Sequence, residues 1–223
     1  VKFHLSTKVT AVRDGKVIAE HEGEQLEIPF DKLLVSVGRR AVTDGLGLET
    51  VGVELNRGAI VVDEHLETSV PGIYAVGDVN GVSMLAHTAA REGQVAVHHI
   101  TDYPDAISYR AIPGIVYTDP EIASVGQTEQ ELRTAGVDYQ VHRVPMSLSG
   151  RFVIENEQGN GFCKLLTDSE GVILGAHMLG NGSSEILVPA IMAVEQRMTL
   201  AELARIVFPH PTVSEIVRVA ALS

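Results

Sequence analysis

Two residues near the end of the chain have the types and the spacing of an acid–base pair. His210 stands between Pro209 and Pro211, and the two proline rings disfavour a regular helix here, so the imidazole is expected on a rigid turn. Glu215 follows about one helical turn later. A carboxylate in that position can accept a hydrogen bond from Nδ1–H and leave Nε2 as a proton acceptor near neutral pH.

A second interpretation of the same residues is purely structural. Apolar residues resume at helical spacing after residue 212, which predicts a helix with Thr212 as its N-cap and Glu215 in its first turn. Thr212 and Glu215 then have the pattern of a capping box, in which the glutamate accepts from the backbone N–H of the cap and does no chemistry. The residues alone leave both interpretations open.

A candidate ligand-binding edge lies in the middle of the chain. The apolar residues 73–76 predict a strand that ends at Gly77, and Asp78 follows directly. Open α/β sheets bind ligands at the carboxyl ends of their strands, where a glycine allows close approach to the backbone. A carboxylate there suits a sugar or ribitol hydroxyl better than a phosphate. An ordinary turn is the alternative interpretation.

A helix predicted over residues 84–100 follows this edge, with an apolar face that includes Val97 and Ile100. The first backbone N–H groups of a helix have no intrahelical acceptor, so these groups and the positive end of the helix dipole would point at a ligand held by the edge. The His87 side chain is interpreted as a bystander, because this contact uses the backbone. The residues at the helix start are Met84, Leu85, Ala86 and His87.

Another glycine turn follows a second predicted strand. Residues 33–37 form an almost continuous apolar run, which is typical of a buried strand, and Gly38 comes directly after it. A turn of this kind can pass close to a ligand, and an ordinary loop is an equal alternative.

The elements that must position these candidates change character along the chain. Short strands joined by turns are predicted over residues 1–37, and the periodic pattern stops near residue 105. Beyond it, helices, one of them over 184–196, alternate with predicted antiparallel strands at 112–117, 122–125, 139–144, 161–166 and 172–178. Two further capping boxes are Thr128 with Glu131 and Thr199 with Glu202. The order indicates an α/β part followed by an α+β domain with an antiparallel sheet.

Composition excludes several classes of protein. The net charge of −12 over 223 residues argues against nucleic-acid and anionic-membrane partners, because both require a basic surface. The longest apolar stretch is too short to span a bilayer. Cys163 is the single cysteine and lies in a predicted strand, so we interpret it as a buried structural thiol in a reducing compartment, the cytoplasm. The nine histidines show no metal-ligand spacing.

Taken together, these motifs resemble those of the flavin-dependent pyridine nucleotide-disulfide oxidoreductases, and most closely those of the members that oxidise dihydrolipoamide. The segment from His210 to Glu215 resembles the family's C-terminal signature, and residues 68–78 resemble its second FAD fingerprint. The resemblance implies that His210 and Glu215 form the acid–base pair beside the redox disulfide of the partner subunit. It also implies that Asp78 binds the ribitol and pyrophosphate region of FAD.

The resemblance further implies a division of the chain. Residues 1–40 correspond to the C-terminal remnant of an NAD domain, 41–105 to the C-terminal part of an FAD domain, and 106–223 to a dimerisation domain. Gly38 would pass close to NAD, and the backbone at the start of the helix near His87 would contact FAD. The implied partners are a second copy of the chain, as a homodimer, and the lipoyl-bearing protein of a 2-oxo acid dehydrogenase complex, with no nucleic acid and no membrane.

The resemblance covers only the C-terminal half of that family. The family's two glycine-rich dinucleotide turns and its Cys-x4-Cys redox pair have no counterpart in the sequence. We therefore interpret the chain as a fragment, inactive and unable to bind either cofactor fully by itself, of an enzyme that oxidises protein-bound dihydrolipoamide with NAD as acceptor. The alternatives are a glutathione reductase-like disulfide reductase and a non-catalytic dimerisation or cofactor-binding module.

Overall fold

The structure is a computed structural model that describes residues 1–157 and 159–223. It combines α-helices with antiparallel sheets, which confirms the predicted mixture of α and β structure. The chain separates into two compact units, Val1–Ala41 and Val42–Ser223. The predicted division into three domains, with boundaries at residues 40 and 105, stays a prediction.

The first unit contains an antiparallel sheet with the strand order β1–β2–β3. Its strands are β1 (Thr7–Arg13), β2 (Lys16–His21) and β3 (Glu24–Pro29). Asp14 and Gly15 connect β1 to β2 with φ angles of 52° and 69°. A two-residue hairpin turn that follows the twist of its strands requires positive φ at both positions, and Asp-Gly adopts it readily.

The buried strand predicted over residues 33–37 does not form. In this segment Leu34 is 89% exposed and Val37 is 92% exposed. A strand of this apolar type is stable when other strands pair with its edges and further layers cover its faces. Within the described ranges, no segment pairs with these residues. The apolar composition predicts a strand but carries no information about the neighbours that the strand needs.

The second unit begins with short elements that precede its longest helix. They are α1 (Leu48–Val51), β4 (Leu55–Asn56), β5 (Ala59–Ile60), a 3₁₀ turn (Gly77–Asn80) and α2 (Ala86–Ile100). The strand predicted over residues 73–76 is absent from the described structure, where Tyr74 makes one isolated bridge to Glu67. In the described structure this segment bonds to a nearby part of the chain rather than to a larger sheet, since the Thr68 N–H donates to the Ile73 carbonyl and the Ala75 N–H donates to the Leu66 carbonyl.

Helix α2 starts two residues later than predicted and buries a different face. Val97 and Ile100, on the predicted apolar face, are 57% and 59% exposed. Instead, Val95 packs with the fully buried Leu66, and Glu92 is held by hydrogen bonds from neighbouring segments. Both faces contain small and apolar residues, so tertiary contacts decide which one turns inward.

Among the described residues, a five-stranded antiparallel sheet organises the part of the chain after α2. Its order is β6–β7–β10–β9–β8, and all five strands confirm predicted ones. They are β6 (Gly114–Val116), β7 (Ile122–Gly126), β8 (Gln140–Pro145), β9 (Phe162–Thr167) and β10 (Ile173–Leu179). The predicted hairpin loop over residues 168–171 joins β9 to β10.

Helices pack around this sheet. They are α3 (Glu129–Ala135), α4 (Gly150–Glu155), α5 (Ser183–Ile186), α6 (Val188–Glu195), α7 (Leu200–Arg205) and α8 (Glu215–Ala221). The capping boxes of α3 and α7 are confirmed. The prediction of a single helix over residues 184–196 is wrong, because the segment divides at Leu187 into α5 and α6. Pro189 has no N–H for the preceding turn and fits only the first turn of a new helix.

Helix α8 packs on β8 and β9 through one stripe of side chains. Ile216, Val217 and Ala220 are fully buried, at the spacing that places residues on one face of a helix. Burial of an aliphatic side chain contributes roughly 1.5–3 kcal/mol, so this stripe holds the helix firmly. The first residue of the helix, Glu215, is thereby fixed at the edge of the packed layer.

Asp105 ties the segment after α2 back to that helix. The Arg91 guanidinium donates to both carboxylate oxygens, at 2.7 and 2.6 Å, and His98 Nδ1 lies 2.7 Å from Oδ2. The Ala106 N–H donates to Oδ1 at 2.9 Å. These donors, Arg91 first and His98 next, hold the pKa of Asp105 well below its usual range.

We predict that Asp105→Asn makes the free energy of unfolding less dependent on pH in acid. A carboxyl group with a lowered folded-state pKa adds stability that is fully present above its unfolded-state pKa, about 3.9, and is lost as the pH falls toward the folded-state value. Urea unfolding between about pH 5 and about pH 2 should therefore show a steeper loss of stability in the wild type than in the variant.

The control is Asp138→Asn, which neutralises an exposed carboxylate and should keep the wild-type dependence on pH. Equal slopes for the wild type and Asp105→Asn would contradict the role assigned to this ion pair.

Candidate functional site

The structure brings His210 and Glu215 into direct contact. His210 Nδ1 lies 3.0 Å from Oε1 and 3.1 Å from Oε2 of Glu215. The histidine side chain is 80% exposed and the glutamate side chain is 28% exposed. A carboxylate accepts only, so Nδ1 carries the hydrogen and Nε2 of the neutral ring is the proton acceptor. The acceptor nitrogen therefore belongs to an exposed ring that is held from its other side.

The two interpretations of Glu215 are both realised in part. Its Oε2 accepts from the Thr212 N–H at 2.9 Å, which is one half of a capping box. The other half is missing in the described structure, where the Thr212 hydroxyl donates to the Pro209 carbonyl at 2.7 Å and lies 3.0 Å from the Ser214 hydroxyl. The prediction of Thr212 as the N-cap is therefore wrong. Ser214 is the residue before the helix, and Glu215 is its first residue.

The hydrogen bonds to Glu215 also set its protonation. The Thr212 N–H and then the His210 ring lower the pKa of the Glu215 carboxyl below its usual value. At neutral pH the group is thus a carboxylate that both orients the imidazole and can stabilise its positive charge after protonation. This is the arrangement of a general base with its orienting group.

Ser149 also supports the segment that contains His210, a role that the sequence analysis did not identify. This buried residue donates its hydroxyl to the Thr212 carbonyl at 3.2 Å and accepts from the Phe152 N–H at 3.2 Å. A serine before a helix is an N-cap signal, but its link to Thr212 is a tertiary contact. A cavity of about 620 Å³ opens beside this loop and is lined in part by Arg151, Glu185, Thr212 and Ser214.

Asp78 lies on the 3₁₀ turn Gly77–Asn80 rather than at the edge of a sheet. Its side chain is exposed, and in the described part of the chain no group donates a hydrogen bond to its carboxylate. Gly77 has a φ of 79°, and a Cβ there would lie 3.3 Å from the Ala89 Cβ on α2. The turn is thus packed closely on α2 while its carboxylate stays available to a ligand hydroxyl.

In the described residues, no side chain caps the start of α2. Leu85 is extended and Ala86 is the first helical residue, so the helix starts after Met84 rather than at it. The N–H groups of the first turn can donate to a ligand. His87 Nε2 lies 3.0 Å from the Pro113 carbonyl, so its side chain is engaged within the protein.

The turn that contains Asp78 and the start of α2 both offer groups that suit a cofactor with hydroxyl groups and electron-rich atoms. The exposed Asp78 carboxylate is an acceptor for hydroxyl groups, and the first turn of α2 is a set of backbone donors. Gly38, by contrast, lies in the first unit with a φ of 100° and no described atom within 4 Å of an added Cβ. Its backbone conformation requires glycine, and its predicted contact with NAD stays a prediction.

Glu92 is a further residue that the sequence did not reveal. Its fully buried side chain accepts hydrogen bonds from Gly77 and Asn80 of the 3₁₀ turn and from Tyr109. The available signal was its spacing of four residues from Thr88 and three from Val95, which places it on the buried face. A charged residue on such a face is ordinarily assigned to solvent.

Other sequence predictions concern metals, thiols and membranes. Cys163 is buried in β9, as predicted, and burial raises the pKa of its thiol to about 12. Across residues 1–157 and 159–223, no group of three potential ligands could hold a metal ion. In the same ranges, no helix has both the length and the apolar character needed to cross a membrane.

Family models match both parts of the chain. Residues 1–93 match the pyridine nucleotide-disulphide oxidoreductase model, and residues 112–221 match the pyridine nucleotide-disulphide oxidoreductase dimerisation domain. The chain belongs to the pyridine nucleotide-disulphide oxidoreductase family, as its motifs predicted.

Curated relatives include dihydrolipoyl dehydrogenases from distant organisms. The protein of Geobacillus stearothermophilus is 42% identical over 211 residues, which cover 93% of this chain and 45% of that protein. The mitochondrial protein of Caenorhabditis elegans is 40% identical over 230 residues, which cover 100% of this chain and 46% of that protein. The chain spans about half the length of the curated relatives it matches.

Solved structures share the fold. LpdA from Mycobacterium tuberculosis has a TM-score of 0.80 at 31% identity, over 98% of this chain and 47% of that chain. The HOCl-induced flavoprotein disulfide reductase RclA from Escherichia coli has a TM-score of 0.77 at 28% identity, over 94% of this chain and 48% of that chain. The likeness extends over nearly the whole chain in each case.

We predict that neutral His210 carries its proton on Nδ1, because Glu215 is the acceptor on that side. Nitrogen-15 NMR of the ring, recorded above the histidine titration, should show a protonated Nδ1 and an unprotonated Nε2. Glu215→Ala removes the acceptor that fixes the tautomer, so the ring should become a mixture of both forms. A protonated Nε2 in the wild type would contradict the prediction.

Glu202→Ala is the matched control. Glu202 accepts from the Thr199 N–H at 2.8 Å in the capping box of α7, as Glu215 does from Thr212, but no histidine of the described residues is paired with Glu202. The variant removes an equivalent capping interaction and should leave the His210 tautomer unchanged.

Proposed function

We propose that this chain is the C-terminal part of a homodimeric, cytoplasmic flavoenzyme that oxidises protein-bound dihydrolipoyl groups with NAD⁺. The observation that carries the proposal is the exposed His210 ring held by Glu215 through Nδ1. Identities of 42% and 40% to proteins named dihydrolipoyl dehydrogenase support the substrate class. The proposal includes the division into residues 1–40 of an NAD domain, 41–105 of an FAD domain and 106–223 of a dimerisation domain.

In this proposal His210 accepts a proton from a dihydrolipoyl thiol. Conversion of the dithiol to a disulfide releases two electrons and two protons, and conversion of NAD⁺ to NADH takes up both electrons and one proton. His210 Nε2 would take a proton from one dihydrolipoyl thiol, which makes the thiolate that attacks the implied redox disulfide of the partner subunit. The disulfide bond would break as the new S–S bond forms, and its electron pair would leave on the released sulfur. Glu215 keeps the ring oriented and stabilises the imidazolium until the proton is released. The lipoyl group arrives on a partner protein of a 2-oxo acid dehydrogenase complex.

The cofactor-facing residues have a binding role in the proposal. FAD, when bound, would supply the electron transfer between the dithiol and NAD⁺. Asp78 would accept hydrogen bonds from ribitol hydroxyls, and Gly77 would let the backbone approach. The N–H groups at the start of α2, after Met84 and Leu85, would donate to the flavin. Gly38 would lie close to NAD.

The single cysteine favours a second function for the chain by itself. Cys163 is buried, with a pKa raised to about 12, so the chain contributes no redox disulfide. By itself it would act as a dimerisation and cofactor-binding module. The likeness to a flavoprotein disulfide reductase supports a glutathione reductase-like activity as the alternative for the whole enzyme. Rates with dihydrolipoamide and with glutathione disulfide would separate these two activities.

We predict that His210→Gln in the complete flavoenzyme lowers the rate of dihydrolipoamide oxidation by about 10² to 10⁴-fold, the usual contribution of a general base. Glutamine keeps a similar size and can form hydrogen bonds, but it accepts no proton at neutral pH. Steady-state kinetics with dihydrolipoamide and NAD⁺ measure this loss. Glu215→Gln should cost less, because an amide can still orient the ring although it no longer stabilises the imidazolium.

Electron transfer from NADH to an artificial acceptor bypasses the thiol and is the internal control, so His210→Gln should leave it nearly unchanged. Equal losses in both assays would indicate a folding or assembly defect and would remove the support for His210 as the base. Unchanged rates in both assays would favour the purely structural interpretation of the pair.

We also predict that the chain forms a homodimer through residues from about 111 to 223. The region contains a dimerisation domain and has its own buried core, so the interface should persist without other domains. Multi-angle light scattering at micromolar concentration should give twice the mass of the chain. A monomer mass under these conditions would argue against an interface contained in this region.

A further inference from the structure

Glu92 is a fully buried carboxylate in the middle of α2. Its Oε2 accepts from the Gly77 N–H at 2.5 Å and from the Asn80 side-chain amide at 3.0 Å. Its Oε1 accepts from the Tyr109 hydroxyl at 2.7 Å. Burying a carboxylate is strongly unfavourable unless such donors replace water. The three donors come from one segment before α2 and one segment after it, so Glu92 joins two parts of the chain that flank its helix.

Gly77 and Asn80, which both donate to Glu92, are the first and last residues of the turn that contains Asp78. Glu92 therefore holds both ends of this turn against α2, and Asp78, which lies between these ends, is exposed. Without the carboxylate, the buried Gly77 N–H and the buried Asn80 amide would lose their acceptor, which is more costly than never having made the bond.

Asn80 links Glu92 to the segment that leads into α2. Its Nδ2 donates to Glu92 while its Oδ1 accepts from the Val82 N–H at 3.0 Å. Val82 belongs to the short connection between the turn and the helix, in which Ser83 donates to the Thr88 hydroxyl at 2.9 Å. The chain of bonds from Glu92 through Asn80 thus fixes the connection that sets where the uncapped N–H groups of α2 are placed.

Tyr109, from the segment after α2, is the third donor to Glu92. Burial raises the pKa of the Tyr109 hydroxyl, and the bond to Glu92 raises it further, so the phenol stays protonated and donates. A carboxylate is the side chain suited to this position, because both of its oxygens accept and all three neighbours donate. Glutamine offers one accepting oxygen, which can serve Gly77 and Asn80 while the tyrosine hydroxyl rotates to accept from its amide.

We propose that Glu92 is a positioning residue for the cofactor edge: it sets the Asp78 carboxylate and the N–H groups at the start of α2 in one geometry, with Tyr109 as its anchor. This inference rests on the proposed function, since it deepens the role given to that edge. Glu92 itself touches no cofactor in this arrangement and acts through Gly77 and Asn80.

The first test measures amide hydrogen exchange by NMR in the 223-residue chain. Glu92→Leu should accelerate exchange of the Gly77 and Val82 amides by roughly ten-fold or more, as expected for loss of a buried charged acceptor. Glu92→Gln should keep most of the protection. Asn80→Ala should accelerate Val82 and leave Gly77 protected. This difference between the two amides separates a positioning role from general destabilisation, which would accelerate amides along all of α2.

Tyr109→Phe has a matched control in the same chain. Tyr139 donates to Glu129 at 3.3 Å, so Tyr139→Phe removes the same kind of bond away from the turn. Tyr109→Phe should accelerate Gly77 exchange a few-fold and Tyr139→Phe should leave it unchanged. Unchanged exchange at Gly77 and Val82 in both Glu92→Leu and Asn80→Ala would overturn the proposal.

The second test measures flavin release from the complete flavoprotein by fluorescence. Glu92→Leu and Asn80→Ala should release FAD at least about ten-fold faster than the wild type, and Glu92→Gln should restore most of the retention. Equal release rates in variants with altered exchange would overturn the cofactor role of Glu92. A wild-type protein that binds no FAD would instead refute the proposed function, and the exchange data would still decide whether Glu92 orders the turn.

Discussion

The packing of α8 on the sheet is the constraint on which the candidate acid–base pair depends. Ile216, Val217 and Ala220 are fully buried, so the helix has one rotation about its axis that satisfies its core. That rotation places Glu215 where the Thr212 N–H and the His210 ring both reach its carboxylate. The histidine ring is exposed and has little packing of its own. The orientation of the His210 ring therefore depends on the Glu215 carboxylate, which is held in place by the buried face of α8. In this way a residue on a loop obtains a defined position.

Glu215 and Glu92 are both carboxylates that hydrogen-bond donors stabilise, one partly exposed and the other fully buried. Each carboxylate accepts from a backbone N–H at a turn, from Thr212 in one case and from Gly77 in the other, and each accepts from a side chain as well. Glu215 is partly exposed, so solvent shares the stabilisation of its charge and the paired imidazole can exchange protons. Glu92 is fully buried, so three protein donors replace water. The exposed carboxylate suits proton transfer, whereas the buried one suits the holding of a fixed geometry.

Sequence reasoning succeeded where the determining interactions are local. The Asp14–Gly15 hairpin, the capping boxes at Thr128 and Thr199, and the strands of the five-stranded sheet follow from turn chemistry and alternation within short windows. It failed for residues 33–37 and 73–76, because an apolar run forms a strand only beside partners that its own composition does not specify. The cap predicted at Thr212 does not form, since the helix begins only at Glu215 and the Thr212 hydroxyl donates to the Pro209 carbonyl. Glu92 was not identified because its donors come from separate segments.

The same residues explain why the proposed chemistry has to be assembled from more than this chain. The structure has an exposed imidazole, His210, and an exposed carboxylate, Asp78, but the single thiol of the chain is buried with a pKa raised to about 12. Thiol exchange proceeds through a thiolate, and at neutral pH Cys163 has almost none and no access to a substrate. A base on an exposed loop acts only when reacting atoms are brought within hydrogen-bond distance of it. In the proposed enzyme the dimerisation domain therefore does more than stabilise the protein, because docking of a second subunit is what would supply His210 with a redox centre.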